Sequence, residues 1–298
     1  MASELHDIVV LLREVRDPRP PVRLEGGGVE VRETGLRRFA NPADLSALEV
    51  AVALAGTTGA AVTAVAMGDE RLDDSLRLAL SMGAARAVRV WDDAIKDGDA
   101  VAEATVLRRV LEVIRPGVFF TGYRLLDRGD DPSAALAAAS CGMPFAQAAL
   151  SFDLARDRAE VVRRAEKGGR QRVSLSLPCA VFFDATAAEP HYPELPAVLD
   201  SLAAPIELWG IEDLGLPAWE LGFAGAVLRP AGLGFPRNDP LRVATPDPSL
   251  PAHERVRALF TGGIRQRGGR MHFGGAGEAV ERILGIFVEE GLLPRGQR

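Results

Sequence analysis

The sequence predicts an α/β protein: a parallel sheet covered by helices, an antiparallel extension, and an extended C-terminal arm. Three observations predict it. Short β-branched runs alternate with longer amphipathic stretches up to Gly122. From Ala148 to Phe183 strand-like runs follow one another without a helix-length segment between them. Beyond Pro190 the chain is rich in Pro and Gly to about residue 270, the composition of an arm or surface loop held by something else. The expected division is therefore an α/β domain over 1–190 and a loop-and-arm segment over 191–298, closing in a helix over 277–290.

Taken in order, Ile8 to Leu12 is an apolar strand. Gly26-Gly27-Gly28 separates Val22-Arg23-Leu24 from Val29-Glu30-Val31, which predicts a small hairpin. At Asn41-Pro42-Ala43-Asp44 helix-start signals converge: Asn41 to cap, Pro42 for the first position, Asp44 for the positive end of the dipole. Ala61 to Ala66 is the next strand, ending at Met67-Gly68, and a helix from about Asp73 to Met82 stops at Gly83. Ala87 to Val90, Val101 to Ile114 and Val118 to Gly122 read as strand, helix and strand. Ala148 to Leu154, Glu160 to Arg164, Arg172 to Leu177 and Ala180 to Phe183 read as a meander, the first three runs joined at Arg156-Asp157-Arg158 and Lys167-Gly168-Gly169. Gly277 to Glu290 carries an apolar stripe of Val280, Ile283, Leu284, Phe287 and Val288.

Composition narrows the function. Across 298 residues, 35 Lys+Arg against 41 Asp+Glu leave a net charge of −6, and without a basic block nothing would neutralise a nucleic-acid backbone. No run approaches the roughly 18 apolar residues of a membrane span, and the first residues do not read as a signal peptide, so a cytoplasmic protein is expected. Two cysteines, Cys141 and Cys179, exclude a disulfide framework and a four-thiolate zinc site. The four histidines lie far apart, and none stands beside a nucleophile in a strand-turn-helix setting. No catalytic residue and no metal site is assigned.

The better-founded candidate is a nucleotide site. In open parallel sheets ligands bind beyond the carboxyl ends of the strands, where four segments would meet: Leu11 to Glu14 with Arg13, Asn41 to Asp44, Met67-Gly68, and Gly122 to Ser133 with Tyr123, Asp127 and Asp131. Glycine lets backbone approach a ligand, and a helix N-terminus offers free N–H groups to a phosphate. Neither a P-loop lysine motif nor Gly-x-Gly-x-x-Gly is present.

Several segments resemble, in order, the β subunit of electron transfer flavoprotein, including its nitrogen-fixation branch. Asn41-Pro-Ala-Asp-Leu-Ser-Ala-Leu-Glu49 is similar to that family's Asn-Pro-x-Asp-x-x-Ala-Leu-Glu helix start. Leu78 to Val90 resembles its Ala-x-Gly-Ala-Asp-Arg-Ala segment, and Glu189-Pro-His-Tyr-Pro-Glu-Leu-Pro196 its Glu-Pro-Arg-Tyr-x-x-Leu-Pro stretch. Asp213-Leu-Gly215, Gly222 to Gly225 and the helix from Glu278 to Leu293 match its C-terminal arm.

The resemblance implies a Rossmann-like sheet of the adenine-nucleotide α-hydrolase type and a heterodimer with an α subunit. A redox FAD, held largely by α, would carry electrons from a flavoprotein dehydrogenase to a quinone-linked or other acceptor, making this chain a carrier subunit rather than a classical enzyme. It also implies AMP in the β sheet, or a second FAD in bifurcating members, and a partner anchor at Leu195-Pro196. A stand-alone adenine-nucleotide-binding regulatory protein of the same fold is the alternative. Departures cluster at the phosphate loop. Asp127 fits, but Asp131-Pro132-Ser133-Ala134 replaces the family's Gln and Thr-Gly or Val-Gly. Asp131 is placed to cap the helix itself, Pro132 removes an N–H, and Ser133 keeps a hydroxyl. Arg13 replaces a lysine, and Tyr123 stands to stack on an adenine or fill the pocket itself. An insertion over about 233–269 carries Arg255, Arg257, Arg265 and Arg267.

Overall fold

The computed structural model describes residues 7–20, 24–25, 30–31, 37–155, 158–229, 246–260, 274–289 and 292. The chain divides into two compact units, 1–235 and 236–298.

The first unit opens with β1 (Ile8–Leu12), β2 (Glu14–Arg16), β3 (Leu24–Glu25), β4 (Glu30–Val31) and β5 (Arg38–Ala40). The hairpin expected around the glycines is present as the antiparallel β3–β4 pair, its turn lying outside the described residues. Next come α1 (Pro42–Thr58), β6 (Val62–Met67), α2 (Asp73–Ser81), β7 (Arg86–Val90), α3 (Ala100–Ile114) and β8 (Val118–Gly122). β9 (Arg124–Leu125) and β10 (Gly129–Asp130) form a small hairpin before α4 (Ser133–Ser140). Then β11 (Phe145–Ala155), β12 (Arg158–Arg164), β13 (Arg170–Ser176) and β14 (Cys179–Phe183) lead to α5 (Leu195–Ala203), β15 (Glu207–Trp209), α6 (Ile211–Leu214) and α7 (Gly222–Gly225).

Nine of these strands make one sheet in the order β13-β12-β11-β14-β8-β1-β6-β7-β15. From β11 to β15 all neighbours are parallel, and β11, β12 and β13 pair antiparallel. β1 shows why the sheet needs two helical layers. Ile8, Val10 and Leu12 enter one core with Leu48 and Leu76, and Val9 and Leu11 enter the other with Val106, Leu107 and Phe119. A strand apolar on both sides must be covered on both sides.

Two strands of the main sheet differ from expectation. β14 is not the last strand of the meander but an interior parallel strand, with Val181 opposite both Phe120 and Ala146. Its unbroken Cys-Ala-Val-Phe-Phe run, buried throughout, is the pattern of a strand covered on both faces. β15 adds a parallel strand at the far edge, beyond Pro190, where composition predicts an arm with short helical pieces. Its three residues are too few to show a period of two.

In the second unit lie α8 (Ala252–Phe260) and α9 (Ala276–Glu289). α9 reproduces the expected closing helix, with Val280, Ile283, Leu284 and Phe287 of its stripe exposed. Arg255 and Arg257 of the insertion are on α8, whereas Arg265 and Arg267 fall outside the described residues.

Candidate functional site

The order of the strands reverses at β1. The chain moves outward through β6 and β7, then returns to place β8 on the other side of β1. Beyond the carboxyl ends of β1 and β6 lies a cavity of about 220 Å3, somewhat below the usual ~300–1,000 Å3 of small-molecule sites. Leu11, Arg13, Met67, Gly68, Asp131 and Ser133 line it, so six of the predicted residues converge there.

Asn41, Asp44 and Gly122 lie beneath, bound to one another and to Arg13. Asp44 is fully buried and sits on the first turn of α1. Its carboxylate accepts from the backbone N, Nε and Nη2 of Arg13 at 2.9, 3.1 and 2.6 Å. It also accepts from Asn41 Nδ2, Thr121 Oγ1 and the Gly122 N–H at 3.1, 3.1 and 2.7 Å. Six donors from four residues on three segments thus meet on one carboxylate. Arg13 further donates from Nη2 to the Gly122 carbonyl at 2.7 Å and from Nη1 to Asp131 Oδ2 at 3.0 Å. Burial alone would pull the Arg13 guanidinium down, but Asp44 and Asp131 reverse this and hold it well above its ordinary value.

Three local expectations are refined. Asn41 stands at the cap position but makes no side-chain cap bond. Its amide bridges instead to the Arg124 carbonyl at 2.9 Å and accepts the Leu126 N–H at 3.3 Å, tying α1 to the loop after β8. Asp131 stands one residue before the cap position, which is Pro132, and its carboxylate accepts the Ser133 N–H at 3.0 Å. Gly122 is required by close packing: a Cβ there would stand 2.5 Å from the Ala43 Cβ and 2.6 Å from Asp44 Oδ1.

Tyr123 and Asp127 lie aside from the cavity lining. The Tyr123 ring packs on the second core under the Arg124 guanidinium, 5.0 Å from its centroid. Asp127 accepts the Arg16 N–H at 3.0 Å and lies 3.8 Å from Arg128 Nε. The lining also holds residues that the sequence reading does not single out, including Glu103, Trp91, Arg38, Arg71 and Arg128. Glu103, on the first turn of α3, is pushed up to about 7 by burial, with Asp131 adding to the effect. An acid in a helix's first turn ordinarily reads as a dipole partner, so nothing in the sequence marks this one. A larger cavity of about 770 Å3 lies between α1 and β11, lined by none of the predicted residues.

Leu195 and Pro196 open α5, far from this cavity in the chain. Leu195 is 70% exposed, and Leu199 and Leu202 follow at 57% and 59%, one helical stripe facing outward. The segment leading into it is fastened to α1: Ser46 Oγ accepts the Ala188 N–H at 2.9 Å, and Glu49 binds the His191 N–H and Nδ1 at 3.1 and 2.6 Å. At the other end Arg77 of α2 donates to the carbonyls of Ser201 and Ala204.

Among the described residues no cluster of His, Cys, Asp and Glu could hold a metal, and no helix is long and apolar enough to cross a membrane. Both cysteines are free thiols, Cys179 pushed up to about 12 by burial.

A largely parallel sheet covered by helices on both faces, with a polar knot where its strand order reverses, defines a doubly wound α/β protein. Residues 29–214 match the electron transfer flavoprotein domain. The chain is 28% identical to the electron transfer flavoprotein subunit beta of Methylophilus methylotrophus, over 74% of this chain and 86% of the relative. It is 32% identical to protein FixA of Rhizobium meliloti, over 70% and 74%. To the electron transfer flavoprotein subunit beta of Thermoanaerobacterium thermosaccharolyticum it is 25% identical, over 87% and 94%. The chain belongs to the electron transfer flavoprotein β-subunit family, and its role is in flavin-linked electron transfer.

Proposed function

We propose that this chain is the β half of a heterodimeric electron carrier, pairing with an electron transfer flavoprotein α subunit. The pair passes electrons from a flavoprotein dehydrogenase to a quinone-linked or other acceptor. FAD, held largely by α, supplies the redox chemistry, so this chain needs no acid, base or nucleophile of its own. Its residues position the partner surfaces. One observation carries the reading: the exposed Leu195, Leu199 and Leu202 stripe on a helix fastened at both ends. An apolar side chain held out on a rigid mount is the form of a docking anchor, and Leu195-Pro196 is assigned that role toward the dehydrogenase. The segment over 191–298 is assigned as recognition loop and arm, with the exposed stripe of α9 turned to α. Two unpaired thiols suit the cytoplasm, where such groups stay reduced.

The test is co-expression with an α-like chain and purification through a tag on this one. Co-purification of α with bound, dithionite-reducible flavin is the expected result. Recovery of this chain alone and colourless would defeat the proposal.

A further inference from the structure

The family resemblance implies an adenine nucleotide in this sheet, its phosphate at the N-terminus of α4. The residues present do not fit that group. Asp131 already occupies the helix end: Oδ1 accepts the Ser133 N–H at 3.0 Å, and Oδ2 takes Arg13 Nη1 at 3.0 Å. Pro132, immediately before the helix, has no N–H to offer. Arg13 has five N–H donors on its guanidinium, and four are committed to Asp44, Gly122 and Asp131. A phosphate would therefore find one donor left on the buried cation and a carboxylate already seated at the helix end.

Charge points the same way. Arg13 is held between two carboxylates, Asp44 fully buried and Asp131 9% exposed. The cavity lining carries four arginines and four carboxylates, and with Asp44 buried beneath them little net positive charge is left even when Glu103 is protonated. One of those arginines, Arg71, is itself paired with Asp69 at 2.6 Å. A phosphate monoester, carrying about −1.5 to −2 at neutral pH, would have to displace an ion pair rather than complete one.

We infer that Asp131 is a built-in substitute for the phosphate: its carboxylate ties β1 to α4 through Arg13, and the pocket is closed to nucleoside phosphates. The inference rests on the β-subunit reading only for where the nucleotide would go. Asp131 becomes the residue that decides whether this sheet is a nucleotide site. Glu14, Asp69 and Glu103 are further acids on the cavity wall.

The experiment uses the full chain and AMP as probe. Wild-type protein is assayed for acid-released adenine nucleotide, then titrated with AMP by calorimetry, beside Asp131→Asn and Asp131→Ser. Both variants remove the charge and keep an acceptor for the Ser133 N–H, and the second guards against poor folding of the first. Wild-type protein free of nucleotide, with AMP affinity weaker than about 1 mM, is expected. The variants are expected to gain at least about tenfold in AMP affinity, and their melting temperatures to rise with AMP where the wild type's does not. Bound AMP in the purified wild type would overturn the inference. So would variants that gain no affinity, because Asp131 would then not be what closes the pocket. Flavin recovered with an α partner is a separate readout that none of these outcomes changes, so failure here and failure of the carrier reading can be told apart.

Discussion

The carboxyl edge of the sheet and the surface around α5 are opposite solutions to the same problem of satisfying side chains. At the edge, Asp44 gathers six donors and Arg13 commits four of five guanidinium N–H groups, so little is left for a ligand. Around α5, Tyr192, Leu195, Leu199 and Leu202 stand in solvent, although the helix and the segment leading into it are tied down by Ser46, Glu49 and Arg77. One region is complete in itself, and the other is complete only with a partner. Under the proposed function, in which the redox cofactor is held largely by α, the work of this chain lies with the incomplete surface.

The most damaging way to break the comparison is at Asp44. Asp44→Ala strands the buried Arg13 cation and several donors, and is expected to cost about 3–5 kcal/mol. Urea unfolding of the two proteins measures it, and a loss under about 1 kcal/mol would mean that the knot is not what holds the edge.

Glu103 sharpens the contrast through pH. Its folded-state value lies at about 7, above the ordinary carboxylate range. The folded protein therefore holds the Glu103 proton where the unfolded chain has released it. Stability from this group is full in acid, declines as pH rises through that window, and is gone above about 7. Glu103→Gln should match wild type near pH 4 and exceed it at pH 8 by up to about 3 kcal/mol. Melting curves at both values check this, and equal behaviour at pH 8 would contradict it.

The smallest effect on folding is expected at Leu195. Leu195→Ala should leave stability within about 0.5 kcal/mol, because the side chain packs on little. Electron transfer from the partner dehydrogenase should nevertheless slow by about tenfold or more through weaker docking. A stability loss with unchanged transfer would reverse the assignment of that surface.

Much of the fold was legible because β-branched runs with two apolar faces have few alternatives. β1, β6 and β8 are predicted where they occur. β14 was harder, since proximity to the meander suggested antiparallel pairing, and only its unbroken apolar run hints at an interior place. β15 gave no periodic signal in three residues following Pro205. At the candidate site, six of the named residues reach one cavity, because strand ends and helix starts are visible in sequence. What Asn41 and Gly122 do was not visible. Asn41 resembles an ordinary cap and Gly122 an ordinary loop glycine until the Arg124 carbonyl and the Ala43 Cβ are brought beside them. Glu103 was missed for the same reason: its surroundings come from segments remote in the chain.

The proposed division of labour is a subunit that completes itself at the sheet edge and is completed by a partner at its surface. Its most direct test is the ratio of flavin to other adenine nucleotide released from the purified heterodimer with α. A single FAD and no AMP per heterodimer are expected. AMP or a second FAD in the released pool would contradict the closed edge, and a chain that brings down neither α nor flavin would contradict the open surface.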